Sequence, residues 1–247
     1  MIKEAFPYKF FDQELKMLPK GQRLVINTIN QYSYCVAEKD PDFKTALMES
    51  DVLLPDGIGI VKLSSWVFGR SIKKIAGEDL FYHLVGRMNE EGGKCFFLGS
   101  STKTLEKILS RMKTDYPSIL VGCYSPPYMD KFGDEDTKAM IKAVNDFEPD
   151  TLFVGMTAPK QEKWVHQVKE QLNVSTIASI GAVFDFYAGT VVRPGSFWIN
   201  LGLEWFIRMV KEPRRMWRRY ILYGPVFLIY ILKLKIAQEK KDKTNLN

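Results

Sequence analysis

Runs of apolar residues alternate along the chain with segments whose apolar residues recur at helical spacing. Five short apolar runs between residues 24 and 156 predict buried strands, and a sixth predicts a last strand from residue 176 that runs into a loop near residue 189. Helical patterns cover residues 41–50, 78–92, 102–117, 135–149 and 159–172. Because strand and helix alternate and the strands are almost continuously apolar, we predict an α/β fold: a Rossmann-like parallel sheet with helices on both faces.

The alternation of strands and helices stops after about residue 192. Residues 193–247 contain helical patterns without strand or turn signals, so we predict an α/β core at 1–192 and a C-terminal helical appendage of two or three helices at 193–247. This tail holds 12 Lys and Arg against 4 Asp and Glu, a net charge of +8, whereas the whole chain carries +6. The basic charge therefore belongs to the tail and indicates an anionic partner for it.

The sequence gives no sign of a signal peptide or of a spanning helix. The N-terminal segment lacks a continuous apolar core, and the longest uncharged run near the C-terminus, residues 220–232, is interrupted by Gly224-Pro225. A spanning helix needs about 20 apolar residues. Three widely separated cysteines fit buried thiols in a reducing compartment. We therefore expect a cytosolic protein whose tail can contact a membrane.

Polar residues follow five of the predicted strands. The carboxyl ends of parallel strands meet at one edge of a sheet, and ligands of open α/β sheets bind beyond that edge. The sequence therefore predicts a pocket formed by Thr28, Asn30, Asp56, Gly99, Ser100, Lys160, Gln161, Glu162 and Asp185.

Each of these positions has a structural and a functional interpretation. Asp56, in Leu-Pro-Asp-Gly, is either a turn residue or a general base at the end of a strand. In the string FLGSSTKTL, Ser101 or Thr102 can cap a helix, and the same turn can offer backbone N–H groups to an anion; both can hold. Glu162 fits a helix N-terminus through the helix dipole. Gln161 has no such explanation, and its neutral amide suits a sugar hydroxyl or an N-acetyl group.

Four arginines, Arg214, Arg215, Arg218 and Arg219, recur on one predicted helical face. A solvated face is one interpretation. We favour phosphate binding, because guanidinium groups contact phosphate bidentately and no lysine interrupts the cluster.

The sequence does not support a catalytic triad or a metal site. The strings Asp-Pro-Asp at 40–42 and Asp-Glu-Asp at 134–136 stand at predicted helix starts, where they are expected to cap helices. His83 and His166 lie on predicted helices, away from the strand ends.

Taken together, these motifs resemble one known family. The strings PDGIG, GEDL, FFLGS, VGMTAPKQEKW, IGAVFDFYAGTVVRP and GLEWFIRMVKEPRRMWRRY are similar to those of the WecG/TagA/CpsF glycosyltransferases, glycosyltransferase family 26, in the expected order from about Thr28 to Tyr220. The resemblance implies an inverting, metal-independent transfer without a cofactor. The donor would be a UDP-sugar, carrying N-acetylmannosamine, its uronic acid, glucose or a related sugar, and the acceptor an undecaprenyl-diphosphate-linked sugar. Such enzymes serve cell-surface polysaccharide or teichoic acid biosynthesis.

The resemblance also implies roles for individual residues. Asp56 would be the general base, with Thr28 and Gln161 beside it at the reacting sugar; the family often has Thr-Pro-Asn where this chain has Thr28-Ile29-Asn30. The substrate-binding candidates are Asn30, Gly99, Lys160, Asp185, Arg208, Arg215 and Arg218, the last three reaching the diphosphate and lipid.

Other interpretations stay open at this point. The chain could be a non-catalytic UDP-sugar-binding regulatory module at the membrane, or a membrane scaffold with a basic tail. We expect peripheral attachment to the inner face of the bacterial cell membrane and no nucleic acid partner. The tail can also pack against a second copy through Phe197, Trp198, Phe206 and Phe227.

Overall fold

The computed structural model describes residues 8–19, 22–192, 195, 198 and 203–244. Within these ranges six strands form one sheet in the order β2-β1-β6-β5-β3-β4, and every neighbouring pair is parallel. The predicted Rossmann-like α/β fold is confirmed. The strands are β1 (Leu24–Ile29), β2 (Val52–Pro55), β3 (Gly93–Gly99), β4 (Ile119–Tyr124), β5 (Thr151–Gly155) and β6 (Thr176–Ser179).

Helices connect the strands and form the tail. Short 3₁₀ turns stand at Leu15–Met17 and Lys169–Gln171, and a π-helical turn, Arg218–Leu222, joins the last two helices. The α-helices are α1 (Gln31–Ala37), α2 (Pro41–Met48), α3 (Ile58–Phe68), α4 (Gly77–Glu91), α5 (Thr102–Asp115), α6 (Asp134–Phe147), α7 (Lys160–Val168), α8 (Val183–Tyr187), α9 (Glu204–Lys211), α10 (Pro213–Trp217) and α11 (Tyr223–Thr244).

The two faces of the sheet are covered by different helices. On one face, α4, α5 and α8 pack against strand residues such as Phe97 and Phe153. On the other face, α6 and α7 pack against Phe96 and Leu152, while α1, α2 and α3 cover the edge around Ile29. Successive strand residues point to opposite faces, so strands buried on both sides must be apolar throughout. This explains the continuous apolar runs in the sequence.

Several predicted helix starts are confirmed by their caps. Asp40 Oδ1 accepts a hydrogen bond from the Phe43 N–H at 3.1 Å, and Pro41 is the first residue of α2. Ser101 Oγ accepts from the Thr104 N–H at 3.2 Å and caps α5. These side chains satisfy backbone donors that lack an intrahelical partner.

Three helices were not predicted from the sequence. The helix α1 begins at a capping box in which Asn30 and Ser33 exchange hydrogen bonds. The helix α3 follows Gly57, whose φ of 111° ends the extended backbone of β2. The expected last strand is also wrong at its end: β6 stops at Ser179, Gly181 turns the chain at φ 43°, and α8 occupies residues 183–187.

The last helix of the tail packs against the core. Phe227 of α11 is buried, and its ring centroid lies 5.6 Å from that of Tyr34 on α1. Ile231 and Leu234, one and two turns further on, join the same cluster. By length and composition alone, the helical stretch Arg218–Thr244 could also cross a membrane. Phe227, Ile231 and Leu234 pack on the core, whereas Leu228, Ile229, Leu232 and Ile236 of the same helix are exposed.

The residues expected to pair two copies of the chain fall into three groups. Phe227 is covered by the protein's own core, so the prediction that it is exposed for a partner is wrong. Trp198 and Phe206 are exposed. Phe197 lies outside the described residues.

Candidate active site

A cavity of about 510 Å³ opens at the carboxyl edge of the sheet. Residues at or directly after the ends of all six strands line it: Thr28, Asn30, Asp56, Ser100, Ser125, Met156 and Ile180. The loop 125–133, the first turn of α7, α8 and two tail arginines complete the wall. The position agrees with the general rule for ligand sites of open α/β sheets.

The structure brings together most of the residues singled out in the sequence. Gly99 lies one residue outside the lining, and Arg218 is replaced there by its neighbour Arg219. The side chain of Arg215 lies outside the described residues. Seven of the ten candidates line the cavity, and their roles stay predictions: Thr28, Asn30, Asp56, Lys160, Gln161, Asp185 and Arg208.

Backbone geometry fixes Asp56 at the corner between β1 and β2. Its N–H donates to the carbonyl oxygen of Ile29 at 2.9 Å, which continues the pairing of the two strands. Gly57 follows in the left-handed region, and a Cβ on it would meet Gln31 Oε1 at 3.0 Å. Only glycine adopts this conformation without strain, so the chain turns sharply after Asp56 and leaves that side chain at the mouth of the sheet.

Asn30 has a structural task at the same corner. Its Oδ1 accepts hydrogen bonds from the N–H groups of Tyr32 and Ser33, at 3.0 and 3.1 Å, and so begins α1. The cap does not use the Nδ2 end of the amide. Asn30 therefore uses its Oδ1 to cap α1 and also contributes to the cavity lining.

The glycine at the end of β3 serves close packing. A Cβ on Gly99, at φ 113°, would lie 2.6 Å from the carbonyl oxygen of Gly155 on β5. Gly155 in turn leaves room for the ring of Phe184, 2.4 Å from its own ideal Cβ position. The cavity wall itself begins at Ser100, whose carbonyl oxygen accepts a hydrogen bond from Ser125 Oγ at 2.8 Å.

The amide of Gln161 is engaged within the protein. The side chain is 4% exposed; its Oε1 accepts from the Met156 N–H at 3.1 Å, and its Nε2 donates to Glu162 Oε1 at 2.8 Å. The sequence suggested an amide directed at a sugar. In the structure Gln161 first of all connects the end of β5 to the start of α7, and a contact to a sugar stays a prediction.

Glu162, which the sequence placed in the pocket and explained by the helix dipole, has a second property that was not predicted. It lines the cavity, is 2% exposed, and its Oε2 has no hydrogen-bond partner among the residues described. Burial raises the pKa of Glu162 to about 7, because the ionised form is poorly solvated there. A signal was present: Gln161, Trp164, Val165 and Val168 form one buried helical face, and Glu162 stands three residues before Val165.

Lys160 secures the loop that borders the cavity. Its Nζ donates to the carbonyl oxygen of Met129 at 2.7 Å and lies 4.5 Å from the ring centroid of Phe132. Partial burial lowers the pKa of the Lys160 ammonium. These contacts tie α7 to the loop 125–133, which includes the exposed ring of Tyr128.

The tail supplies cationic groups to the cavity. The Arg208 guanidinium lies 5.3 Å from the ring centroid of Phe186, and its Nε and Nη2 are buried without a partner among the described parts of the chain. Arg219, in the π-helical turn, lies 4.9 Å from the ring centroid of Tyr32. Both line the cavity. Buried guanidinium nitrogens without acceptors are costly, and an anionic ligand would satisfy them.

Comparison with known proteins decides the family. The family model for the glycosyl transferase WecG/TagA/CpsF family matches residues 7–241. The chain belongs to this family. It is therefore a glycosyltransferase, and the resemblance seen in its motifs is confirmed.

Two relatives carry the same descriptive name, N-acetylglucosaminyldiphosphoundecaprenol N-acetyl-beta-D-mannosaminyltransferase. The protein of Bacillus subtilis (strain 168) is 33% identical over 220 residues, which cover 89% of this glycosyltransferase and 82% of the relative. The protein of Bacillus spizizenii is 30% identical over 231 residues, covering 94% and 87%.

The charged groups that line the cavity fall into two sets. Asp56, Glu162 and Asp185 come from the α/β core, with Lys160 at its border, whereas Arg208 and Arg219 come from the tail. In the described ranges, no three His, Cys, Asp or Glu side chains come together as metal ligands. Asp185 also organises α8, since its backbone carbonyl accepts from Thr190 Oγ1 at 3.1 Å.

Proposed function

We propose that this glycosyltransferase transfers N-acetylmannosamine, or a closely related sugar, from its UDP derivative to an N-acetylglucosamine linked to undecaprenyl diphosphate. The names of the two Bacillus relatives support this choice of sugar and acceptor. The product would be an early lipid-linked intermediate of teichoic acid or a similar cell-surface polysaccharide.

One observation carries the proposal: a single cavity at the strand ends is lined by both the carboxylate of Asp56 and the guanidinium of Arg208. Glycosyl transfer needs these two kinds of group. A carboxylate can accept the proton of the attacking hydroxyl, and a fixed cation can stabilise the departing diphosphate. Two guanidinium nitrogens of Arg208 have no partner among the described residues, and they favour an anionic ligand in this cavity.

The transfer is a single displacement at the anomeric carbon of the donor. The acceptor hydroxyl oxygen forms a bond to this carbon while the bond from the carbon to the diphosphate oxygen breaks. The hydroxyl proton passes to the Asp56 carboxylate, and the electron pair of the broken bond stays on UDP. Because attack and departure occur on opposite sides of the carbon, the configuration inverts.

The negative charge that develops on UDP is stabilised by protein groups in this proposal. Arg208 and Arg219 line the cavity, and α5 directs its N-terminus, capped by Ser101, toward the same edge. Helix N-termini and guanidinium groups both favour phosphate. We propose that these groups make a metal ion unnecessary for the transfer.

We further propose that the tail attaches the enzyme peripherally to the inner face of the bacterial cell membrane, where its acceptor resides. Tail residues expose large apolar side chains, with Trp217 41% and Leu228 60% exposed. The same tail carries the net positive charge that favours anionic lipids. Since Arg208 and Arg219 belong to this tail, membrane contact and the active site lie on connected elements.

A transfer assay tests the proposed function. The purified protein would be incubated with UDP-N-acetylmannosamine, UDP-N-acetylglucosamine or UDP-glucose, a lipid-diphosphate-N-acetylglucosamine acceptor, and either EDTA or Mg²⁺. We expect product from UDP-N-acetylmannosamine, at a rate that EDTA does not change.

Different failures contradict different parts of the proposal. Product from another donor alone would show that the transferred sugar is not N-acetylmannosamine. Loss of product in EDTA would contradict the metal-independent step. If UDP bound tightly but no donor gave product on vesicles containing the acceptor, a regulatory binding role would replace the enzymatic one for this cavity.

A further inference from the structure

Glu162 is buried, lines the cavity and has a carboxyl oxygen without a partner among the described residues, yet it takes no part in the reaction steps proposed above. Its carboxyl group lines the cavity, is 2% exposed, and is held through Oε1 by the Gln161 amide. Its Oε2 has no partner among the described residues. Buried polar atoms are nearly always hydrogen-bonded, so an oxygen of this kind in a ligand cavity indicates a contact that the ligand completes.

The charged side chains near Glu162 are engaged elsewhere. Lys160 donates to the Met129 carbonyl and lies over Phe132. On α2, the helix packed on α7, Asp40 and Asp42 pair with Lys163, and Glu49 lies 3.9 Å from His166. The other charged groups lining the cavity are Asp56, Asp185, Arg208 and Arg219.

The hydrogen-bond pattern also distinguishes the two oxygens of the carboxyl group. Gln161 Nε2 is a donor, so Oε1 of Glu162 accepts and does not carry the proton. A proton on the group therefore belongs on Oε2, the atom without a partner among the residues that the structure describes. Without a paired cation, burial favours the neutral form of a carboxyl group, and this form is a hydrogen-bond donor.

We propose that Glu162 binds the sugar donor as a neutral carboxylic acid, with its Oε2–H donating a hydrogen bond to an oxygen of the bound nucleotide sugar. This inference rests on the proposed function, because it takes a nucleotide diphosphate sugar to be the ligand of the cavity. Asp56 and Glu162 then have opposite tasks in one site: Asp56 is ionised and accepts a proton, while Glu162 keeps its proton.

Donor binding should then be coupled to proton uptake. The diphosphate brings negative charge into the cavity, and a ligand oxygen accepts from the protonated form, so both effects raise the pKa of Glu162. Burial alone already raises that pKa to about 7. At pH 8 most free enzyme would carry ionised Glu162, and each binding event would take up about one proton.

Calorimetric titration with UDP-N-acetylmannosamine tests this coupling. The diphosphate diester of this ligand has no titrating proton near neutral pH, so it adds no proton change of its own. Titrations at pH 8 in two buffers of different ionisation enthalpy give the number of protons taken up. We expect about one proton per bound donor at pH 8, little uptake at pH 5.5, and a Kd that rises about tenfold per pH unit above 7.5.

Two variants isolate Glu162 from the other titratable groups. In E162Q the uptake at pH 8 should disappear and the Kd should lose its rise above pH 7.5, while binding at pH 6 persists because the glutamine amide still donates. E135Q, at an exposed glutamate paired with Lys138 on α6, should keep the uptake of the unaltered enzyme. The Kd of the unaltered enzyme across pH provides a test that does not depend on the folding of a variant.

The outcomes separate this inference from the proposed function. Tight donor binding without proton uptake at pH 8, or equal uptake in E162Q and the unaltered enzyme, overturns the role of Glu162 and leaves the transferase proposal standing. Failure of UDP-N-acetylmannosamine to bind at any pH overturns the proposed donor, and the role of Glu162 with it.

Discussion

The cavity has a core wall, formed by the strand ends and the first turn of α7, and a tail wall, formed by Arg208 and Arg219. The two walls hold their polar groups in different ways. In the core wall, Gln161 and Glu162 are almost fully buried and hydrogen-bonded to each other, and Asn30 is fixed as a helix cap. In the tail wall, Arg208 lies against the ring of Phe186 and has buried nitrogens without partners in the described structure.

In the proposed mechanism, this difference corresponds to two separate contributions. The strand ends hold their polar groups through hydrogen bonds within the protein, and we propose that these groups surround the reacting sugar. The tail provides positive charge whose position depends on the packing of α11, with Phe227 and Ile231, against α1 and α3. In the proposed mechanism, the sheet provides the precise geometry and the docked helices provide the stabilisation of charge.

The largest effect is expected from a substitution of Asp56 in the core wall. Asp56→Asn removes the proton acceptor while keeping the shape of the side chain. We expect the rate of transfer to fall by about 10²–10⁴-fold, with little change in UDP affinity. Steady-state transfer kinetics and calorimetry measure the two quantities. The control Asp146→Asn, at an exposed carboxylate paired with Lys142, should retain full activity. Equal activity of the two variants would remove Asp56 from the mechanism.

The next prediction concerns the effect of Glu162, the buried acid of the core wall, on the stability of the fold. Glu162 ionises near pH 4.5 when unfolded but only near pH 7 when folded, so its contribution to stability is present below about pH 4.5 and is lost as the pH rises through 7. Glu162→Gln does not titrate. From pH 5 to pH 8 the free energy of unfolding of this variant should rise relative to the unaltered protein by about 2–3 kcal/mol.

Urea unfolding at several pH values measures this change. The variant Glu135→Gln replaces an exposed glutamate and should follow the unaltered protein at every pH. A difference between Glu162→Gln and the unaltered protein that is constant with pH would show that Glu162 does not titrate between pH 5 and 8.

A variant of the tail wall tests the other half of the comparison. Arg208→Ala removes a guanidinium from the cavity, and charge-assisted hydrogen bonds contribute about 1.5–3 kcal/mol each. We expect UDP to bind about 10–100-fold more weakly, as measured by calorimetry. Arg214→Ala, at an exposed arginine outside the cavity lining, is the matched control. If both variants bind UDP equally well, Arg208 does not contact the diphosphate.

The smallest expected effect concerns the outer surface of the tail. Leu228→Ser removes one exposed apolar side chain from α11 without touching Phe227, which faces the core. We expect binding to vesicles containing phosphatidylglycerol to weaken about 5–30-fold, and soluble-substrate kinetics to stay unchanged. Leu120→Ser, at an exposed leucine of β4, should bind vesicles normally. Cosedimentation distinguishes these results, and equal loss in both variants would contradict a tail-specific membrane surface.

The sheet could be predicted from the sequence, whereas part of the helical layer could not. Apart from β4, an edge strand in which Leu120 is exposed, the strands are mostly buried, so their apolar runs are easy to recognise. The helix α3 is also apolar around much of its circumference and begins at Gly57 without a side-chain cap, so neither periodicity nor a start signal distinguished it. The helix α8 has five residues, too few to show a helical period.

The position of the site was predictable, but the state of its side chains was not. Strand ends and the turns after them are local features, so Asp56 and Asn30 could be placed at one edge. The hydrogen bonds of Gln161 and the burial of Glu162 depend on how α7 lies against β5 and β6, which only the tertiary structure determines. In the sequence, the helix dipole was a sufficient explanation for Glu162, so the burial of its carboxyl group was not predicted.

The π-helical turn at Arg218–Leu222 marks the place where the tail can absorb a change in length. A π turn accommodates more residues than an α turn, so losing one residue there restores α-helical geometry and leaves the flanking helices in phase. Each residue of a regular α-helix rotates the chain by about 100°. Losing one residue between Tyr223 and Phe227 would therefore turn Phe227, Ile231 and Leu234 away from α1 and α3, although every one of these side chains would still be present. Only outside the π turn does the number of residues decide which side of α11 meets the core.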